Sequence, residues 1–254
     1  MSEGSNQQSL ADSVALITGG GGGIGSVIAR RLAKSGARLV LTYNQNAEKA
    51  EAAAASLAGD NHLVVQTSVT DSHALAALAR TVEQRYGRLD ILVNNAGISR
   101  IVPHDDLDAL DDELIDDIFR TNWRGSLACI RAFRKLLATN GTGLVANISS
   151  IAGRTAVGSN VAYCASKAAL DSMTMSLARA LAPDIRVVSV SPGWVDGEYA
   201  KRADPAYLQE QIDRTPLGRI ARPEDVAEAV YALAVGLGFT TGAIIPIDGG
   251  RPLN

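Results

Sequence analysis

Tyr163 and Lys167 stand four positions apart in the run Tyr163-Cys164-Ala165-Ser166-Lys167, so a helix there puts both on one face. A phenol ordinarily loses its proton near pH 10, too high for acid–base work at neutral pH, but a neighbouring ammonium stabilises the phenolate. The pair reads as an acid–base couple, against the plainer reading of a half-buried tyrosine and an exposed lysine on an amphipathic helix. Ser149 and Ser150 follow the apolar run Leu144 to Ile148, at a strand end where open α/β sheets collect ligands. A hydroxyl there can hold a carbonyl oxygen. Nearer the N-terminus, Thr18-Gly19-Gly20-Gly21-Gly22-Gly23-Ile24-Gly25 separates an apolar run from an amphipathic stretch. Glycines at a strand-to-helix turn let backbone N–H groups approach a pyrophosphate, although a simple tight turn uses them too. A bare ribose would call for an acidic residue at the end of the second strand, yet Tyr43 stands there, followed by Asn44, Gln45 and Asn46. With no carboxylate to repel a 2′-phosphate, NADP(H) is favoured as cofactor and NAD(H) is also allowed.

These groups need a scaffold that brings strand ends together. Short apolar runs alternate with stretches of helical period: Val14 to Thr18, Ile24 to Ser35, Leu39 to Thr42, Ala47 to Leu57, Leu63 to Val65, Ser72 to Tyr86 and Leu89 to Val93. The alternation continues with a long helix from Leu107 to Leu137, a strand from Leu144 to Ile148, a helix from Val161 to Leu181, a strand from Val187 to Val190, a helix opened by Pro223, and a strand from Ala243 to Ile247. Strands without a polar face belong to parallel sheets covered on both sides. The pattern predicts an α/β fold, a doubly wound parallel sheet (Rossmann fold) of six or seven strands in one domain spanning 14–254. Residues 1–13 read as a flexible tail, and 194–217, with Gly197, Pro205 and Pro216 around a short helical piece, as a substrate-binding lid.

Composition narrows the function. The 254 residues are 46% hydrophobic and 20% charged with a net charge of −3, the profile of a folded domain without the basic field that nucleic acid or an anionic membrane would require. Every apolar run is interrupted by charge before it could span a bilayer. Cys129 and Cys164 are the only cysteines, and with no leader segment the expectation is reduced thiols in the cytoplasm. A small-molecule carbonyl or alcohol is the partner expected.

The motifs, taken in order, resemble those of the short-chain dehydrogenase/reductase family. Thr18-Gly19-x-x-x-Gly23-Ile24-Gly25 resembles its cofactor turn, Asn94-Asn95-Ala96-Gly97 its fourth-strand motif and Tyr163-x-x-x-Lys167 its catalytic pair, over a span from about Val14 to Gly250. The resemblance implies that Asn122 holds a relay water, Ser150 orients the substrate, Tyr163 transfers the proton, and Lys167 lowers the Tyr163 pKa and binds the nicotinamide ribose. Ser149 is then the neighbour of the catalyst. It further implies cofactor contacts from Thr18, Gly19, Gly22, Gly23, Ile24, Gly25, Tyr43, Asn44, Ser68, Val69, Asn95, Ala96, Gly97, Tyr163, Lys167, Pro192, Gly193 and Val195. Two positions depart from the family pattern: Gly197 replaces a usual threonine, and Ser68 an aspartate common before Val69. The chain looks closest to the 3-oxoacyl-carrier-protein reductases, although Asn140-Gly141 and Pro183-Asp184 stand where those members usually offer basic residues to their carrier. Enoyl reductases of the family space the tyrosine and lysine more widely. A homo-oligomer, a tetramer, is also implied, with Ala168, Leu170, Met173, Leu177 and Leu181 giving the Val161–Leu181 helix more apolar surface than one sheet face needs.

Other residues point elsewhere and lead less far. The acidic run from Asp105 to Asp117 lacks the order of a calcium loop and reads as a solvated helix face. His62, His73 and His104 lack metal spacing and read as surface residues; no metal site is expected. Cys164 is a packed neighbour of Tyr163, and Arg154 and Trp194 flank the expected pocket mouth, as substrate contacts or as rim packing. The competing function is a binding module or sensor that keeps the cofactor fold without chemistry, and the joint presence of Asn122, Ser150, Tyr163 and Lys167 speaks against it.

Overall fold

Seven apolar runs pair side by side as parallel strands in the computed structural model, which describes residues 10–198, 200 and 204–253. The strands are β1 (Val14–Ile17), β2 (Arg38–Tyr43), β3 (Leu63–Gln66), β4 (Ile91–Asn94), β5 (Gly143–Ile148), β6 (Ile185–Pro192) and β7 (Ile244–Ile247), in the spatial order β3-β2-β1-β4-β5-β6-β7. The helices are α1 (Gly23–Lys34), α2 (Ala47–Ala55), α3 (Ser72–Tyr86), α4 (Asp112–Phe119), α5 (Ser126–Leu137), α6 (Ala152–Thr155), α7 (Val161–Leu181), α8 (Pro205–Asp213) and α9 (Pro223–Val235).

Side chains alternate across a strand, so β1 sends Ala15 and Ile17 to one face and Val14 and Leu16 to the other. Both faces are covered, which explains the absence of a polar one. The first is packed by α1 through Ile28 and Leu32 and by α9 through Val226 and Val230; the second by α3, α5 and α7 through Leu78, Phe133 and Leu170. Each such large side chain, taken fully out of water, stabilises the fold by about 1.5–3 kcal/mol. Because β1 lies between β2 and β4, the crossovers leave it in opposite directions and open a crevice beyond the carboxyl ends of the strands. The glycine turn follows β1, Asn95–Gly97 follow β4, Ser149–Ser150 follow β5, and Gly193 follows β6.

Most element ends lie within two residues of the sequence reading, with α3 and α7 matching it. The helix expected from Leu107 to Leu137 is corrected. Leu107 is an exposed turn residue, the helix begins at Asp112, and α4 and α5 are separated by a π-helical turn, Arg120–Gly125. The start is set by Asp111, whose Oδ1 accepts from Leu114 N at 2.8 Å, and Asp112 and Glu113 follow in the first turn, where helix N–H groups favour acid. Part of the acidic run is thus a helix start. Of the expected tail, residues 1–9 lie outside the described residues, while Leu10 is buried and its N–H donates to the Ser35 carbonyl at 2.9 Å. The folded body therefore begins before Val14. His62 is likewise no bare surface residue: its Nδ1 accepts from Leu39 N at 3.0 Å, tying down the start of β2.

Candidate active site

The glycine turn is shaped by contacts on one side and openness on the other. Thr18 Oγ1 accepts from the backbone N–H groups of Asn95 and Ala96, both at 3.0 Å, so the ends of β1 and β4 are locked together. Asn95 Nδ2 returns bonds to the carbonyls of Thr18 and Gly19. A Cβ on Gly25 would meet Asn95 Nδ2 and the Gly19 carbonyl at 2.6 Å, whereas one on Gly22 or Gly23 would meet nothing within 4 Å. Gly19 and Gly23 have φ of 65° and 49°, the left-handed region that glycine enters freely. Gly22 caps α1 with no side-chain hydrogen bond, so the first N–H groups of the helix face an exposed, open turn. That is a cradle for an anion.

The tyrosine and lysine owe their positions to a cap and a buried network. Asn160, fully buried, starts α7 by accepting from Tyr163 N at 2.7 Å, and its Nδ2 donates to the Arg100 carbonyl at 2.7 Å. Along α7, Thr174 Oγ1 accepts from Asn147 Nδ2 and pairs with the Ser189 hydroxyl, both at 2.9 Å, while Asn94 Nδ2 donates to Asn147 Oδ1 at 2.8 Å. These bonds stitch α7 to β5, β6 and β4 beneath the site. Asn122 arrives from the π-helical turn: its Oδ1 accepts from Ile98 N at 2.8 Å, and its Nδ2 donates to the Ile98 carbonyl and to Ser166 Oγ, both at 3.1 Å. Gly97 faces both Asn122 and Lys167, for a Cβ there would lie 3.2 Å from Asn122 Oδ1 and 3.8 Å from Lys167 Nζ.

Lys167 Nζ is buried, donates to the Ile148 carbonyl at 2.8 Å, and lies 5.7 Å from the centre of the Tyr163 ring. Burial pulls its pKa down to about 8, with the carboxylate of Asp171, one turn along α7, opposing that shift. Burial also raises the Asp171 carboxyl above its ordinary range. Ser150 is half-buried and accepts only a turn bond from Ala152 N at 3.2 Å, whereas the buried Ser149 donates to the Lys167 carbonyl. Ser150, Tyr163 and Lys167 meet in a cavity of about 980 Å³, together with Ile24, Asn95, Gly97, Pro192, Gly193 and Val195. Further walls include Ile98, Ile101, Val157, Trp194 and Tyr207, with Asp204, Gln211 and Arg214 from α8 and its two caps and Arg251 from the C-terminal segment.

Other expected residues lie outside that lining. Tyr43 ends β2, the exposed Asn44 gives its carbonyl to Gln66 Nε2, and Ser68 Oγ bonds Thr70. Val69 is buried, packed where Gly125 allows its approach: a Cβ on Gly125 would come within 2.7 Å of Val69 Cγ2. Trp194 lines the cavity edge-on to Tyr207, ring centres 5.5 Å apart, while Arg154 pairs with Asp248 at 3.6 Å and is not in the lining. Cys164 is buried and its thiol is pushed up, as is Cys129 to about 12. Burial favours the neutral thiol in both. The segment 194–217 contains α8 and is joined to the loop before α9 by a bridge between Val195 and Ala221; Tyr199 and residues 201–203 lie outside the described residues. Sequence reading missed Asn160, although an Asn three residues before Tyr163 is a helix-cap signal, and it missed Gln211 and Arg251, which carry no local signal.

A sheet of this order gathers these groups at its carboxyl edge, where open α/β folds bind ligands, and comparison with known proteins gives the class. A family model described as "Enoyl-(Acyl carrier protein) reductase" matches residues 20–251. The chain is 40% identical over 242 residues to a protein named as ketoacyl reductase 2 of the granaticin polyketide synthase of Streptomyces violaceoruber, covering 94% of this chain and 96% of that one. It is 36% identical over 247 residues to cis-4-hydroxycyclohexanecarboxylate dehydrogenase of Sinomonas cyclohexanicum, covering 96% and 98%. The crystal structure of a short-chain dehydrogenase/reductase from Burkholderia xenovorans superposes with a TM-score of 0.87 at 33% identity, covering 95% of this chain and 98% of that one. The chain belongs to the short-chain dehydrogenase/reductase family. It is an oxidoreductase acting on CH–OH or carbonyl groups. Among the described residues, no helix is long and apolar enough to cross a membrane.

Proposed function

We propose that this chain interconverts a ketone and a secondary alcohol, with NADP(H) as the favoured cofactor and Tyr163 as the proton donor and acceptor. The observation that carries the reading is the meeting of Ser150, Tyr163 and Lys167 in one cavity at the carboxyl edge of the sheet. The turn before α1 fits a dinucleotide: Gly22 and Gly23 leave open space, and no side chain caps the helix. Its exposed N–H groups would hold the pyrophosphate, and Tyr43, with no negative charge at the end of β2, leaves a 2′-phosphate tolerated. When bound, the cofactor supplies or accepts the hydride at the carbinol carbon.

Ser150 Oγ, with only a turn bond to satisfy, donates to the carbonyl oxygen and fixes it. Tyr163 Oη gives its proton to that oxygen during reduction and takes one back during oxidation. Lys167 stabilises the phenolate left behind and donates to ribose hydroxyls. Asn122 links the Ile98 backbone to α7 beside Lys167, a place from which a water could return the proton from solvent. The three-residue gap between Tyr163 and Lys167 supports carbonyl rather than double-bond reduction, and the relatives are named for a ketoacyl group and a ring alcohol. Cys129 and Cys164 are free thiols, which suits a cytoplasmic protein; the segment 194–217 serves as the lid, and the assembly is a homotetramer.

Tyr163→Phe tests the role directly. It removes one hydroxyl, so turnover should fall by about 10²–10⁴ while NADPH titrated by fluorescence binds almost as before. A variant that keeps more than about a tenth of kcat excludes Tyr163 as the principal acid.

A further inference from the structure

Arg251 is the unusual charge of the cavity. Its half-buried side chain lines both the main cavity and the small cleft beside it. Nη2 donates to Gln211 Oε1 at 2.7 Å, and Gln211 is itself 3% exposed, so the guanidinium is held from behind. Its Nε is buried and has no hydrogen-bond partner, and no ion pair joins Arg251 to a carboxylate among the described residues. Of the nearby acids, Asp248 lines the same small cleft, accepts from Gly250 N at 2.9 Å, faces Arg154 at 3.6 Å and keeps a buried Oδ2 without a hydrogen-bond partner, Glu210 pairs with Arg214 at 3.1 Å, and Asp204, also in the cavity wall, caps α8. A sheltered guanidinium with no ion pair is costly by itself, and an oxyanion that meets it from the cavity relieves the cost. Much of the remaining wall is apolar or aromatic: Ile98, Ile101, Val157, Trp194 and Tyr207.

We propose that Arg251 anchors a carboxylate on the non-reacting end of the substrate, so that the natural substrate class is an oxo or hydroxy acid whose hydrocarbon frame lies against Trp194 and Tyr207. The assignment rests on reading this cavity as the substrate site. It can fail while the hydride-transfer reading stands, because it concerns binding of a group that takes no part in the reaction.

The test is a calorimetric titration at pH 7, with NADP⁺ saturating, of cyclohexanecarboxylate against cyclohexanecarboxamide, a pair alike in ring and differing in charge. The wild-type protein should bind the acid at least about tenfold more tightly than the amide. Arg251→Met should erase that preference and leave amide binding in place; Arg214→Met, removing a guanidinium already paired with Glu210, should keep it. If Arg251→Met does not fold, Arg251→Lys carries the test, with the fork geometry gone and the preference reduced several-fold. Equal binding of acid and amide, binding of neither, or a preference that survives at position 251 and vanishes at position 214 overturns the proposal.

Discussion

Lys167 is kept in the core against its own solvation. With its pKa pulled to about 8 and an unfolded value near 10.5, the folded chain binds fewer protons than the unfolded chain between those limits. Stability from this group therefore rises as pH climbs through that window, and the full penalty is present below pH 8. At about 1.4 kcal/mol per pH unit the penalty reaches about 3 kcal/mol, offset by about 1 kcal/mol for the bond to the Ile148 carbonyl. Lys167→Met should therefore raise the Tm of the cofactor-free protein at pH 7 by a few degrees while destroying activity, and the gap should close by pH 10. Thermal melts across that range check it; a variant less stable than wild type at pH 7 would show that the ammonium is not strained. The Tyr163 and Lys167 pair was legible because helical spacing alone puts the two on one face. Arg251 was not, since its meaning comes from Gln211, forty residues away in sequence.

Two glycines of the same turn separate folding from binding. Gly25 is packed against backbone, and a Cβ there would sit 2.6 Å from the Gly19 carbonyl, so Gly25→Ala should cost about 1–3 kcal/mol and lower the Tm. Gly22 has open space around it and an extended backbone, φ −154°, so Gly22→Ala should melt with wild type yet bind NADPH about tenfold more weakly, its methyl standing where a phosphate must approach. Melts and fluorescence titrations of both variants decide it; equal effects on Tm would remove the distinction. The glycine run itself was plain in sequence, but which glycine serves the fold was not, because that depends on Asn95 from another strand. The π-helical turn at Arg120–Gly125 was equally hidden. Helical periodicity tolerates one residue of slippage, so an apolar stripe before and after Asn122 looks the same with or without the wide turn.

The doubly wound parallel sheet was implied by the alternation of elements, since parallel strands buried on both faces leave few ways to wind a chain. What alternation could not supply is how copies meet. On α7, Val161 and Met175 are 44% and 41% exposed while Leu170 and Met173 are buried, so the helix keeps an outward apolar face in addition to the one on the sheet. Light scattering at micromolar concentration should give a multiple of 26.5 kDa, four copies by our proposal; a monomer mass contradicts it.

The chemistry itself is tested most directly by following the hydride. With NADPH deuterated at C4 on the transferred face and a panel of ketones that includes 4-oxocyclohexanecarboxylate, mass spectrometry of the alcohol product should find one deuterium on the carbinol carbon with the wild-type protein, and at most a trace of product with Tyr163→Phe. Wild-type protein that binds NADPH yet returns no deuterated alcohol from any ketone, or a Tyr163→Phe variant that forms it at the wild-type rate, would contradict the account.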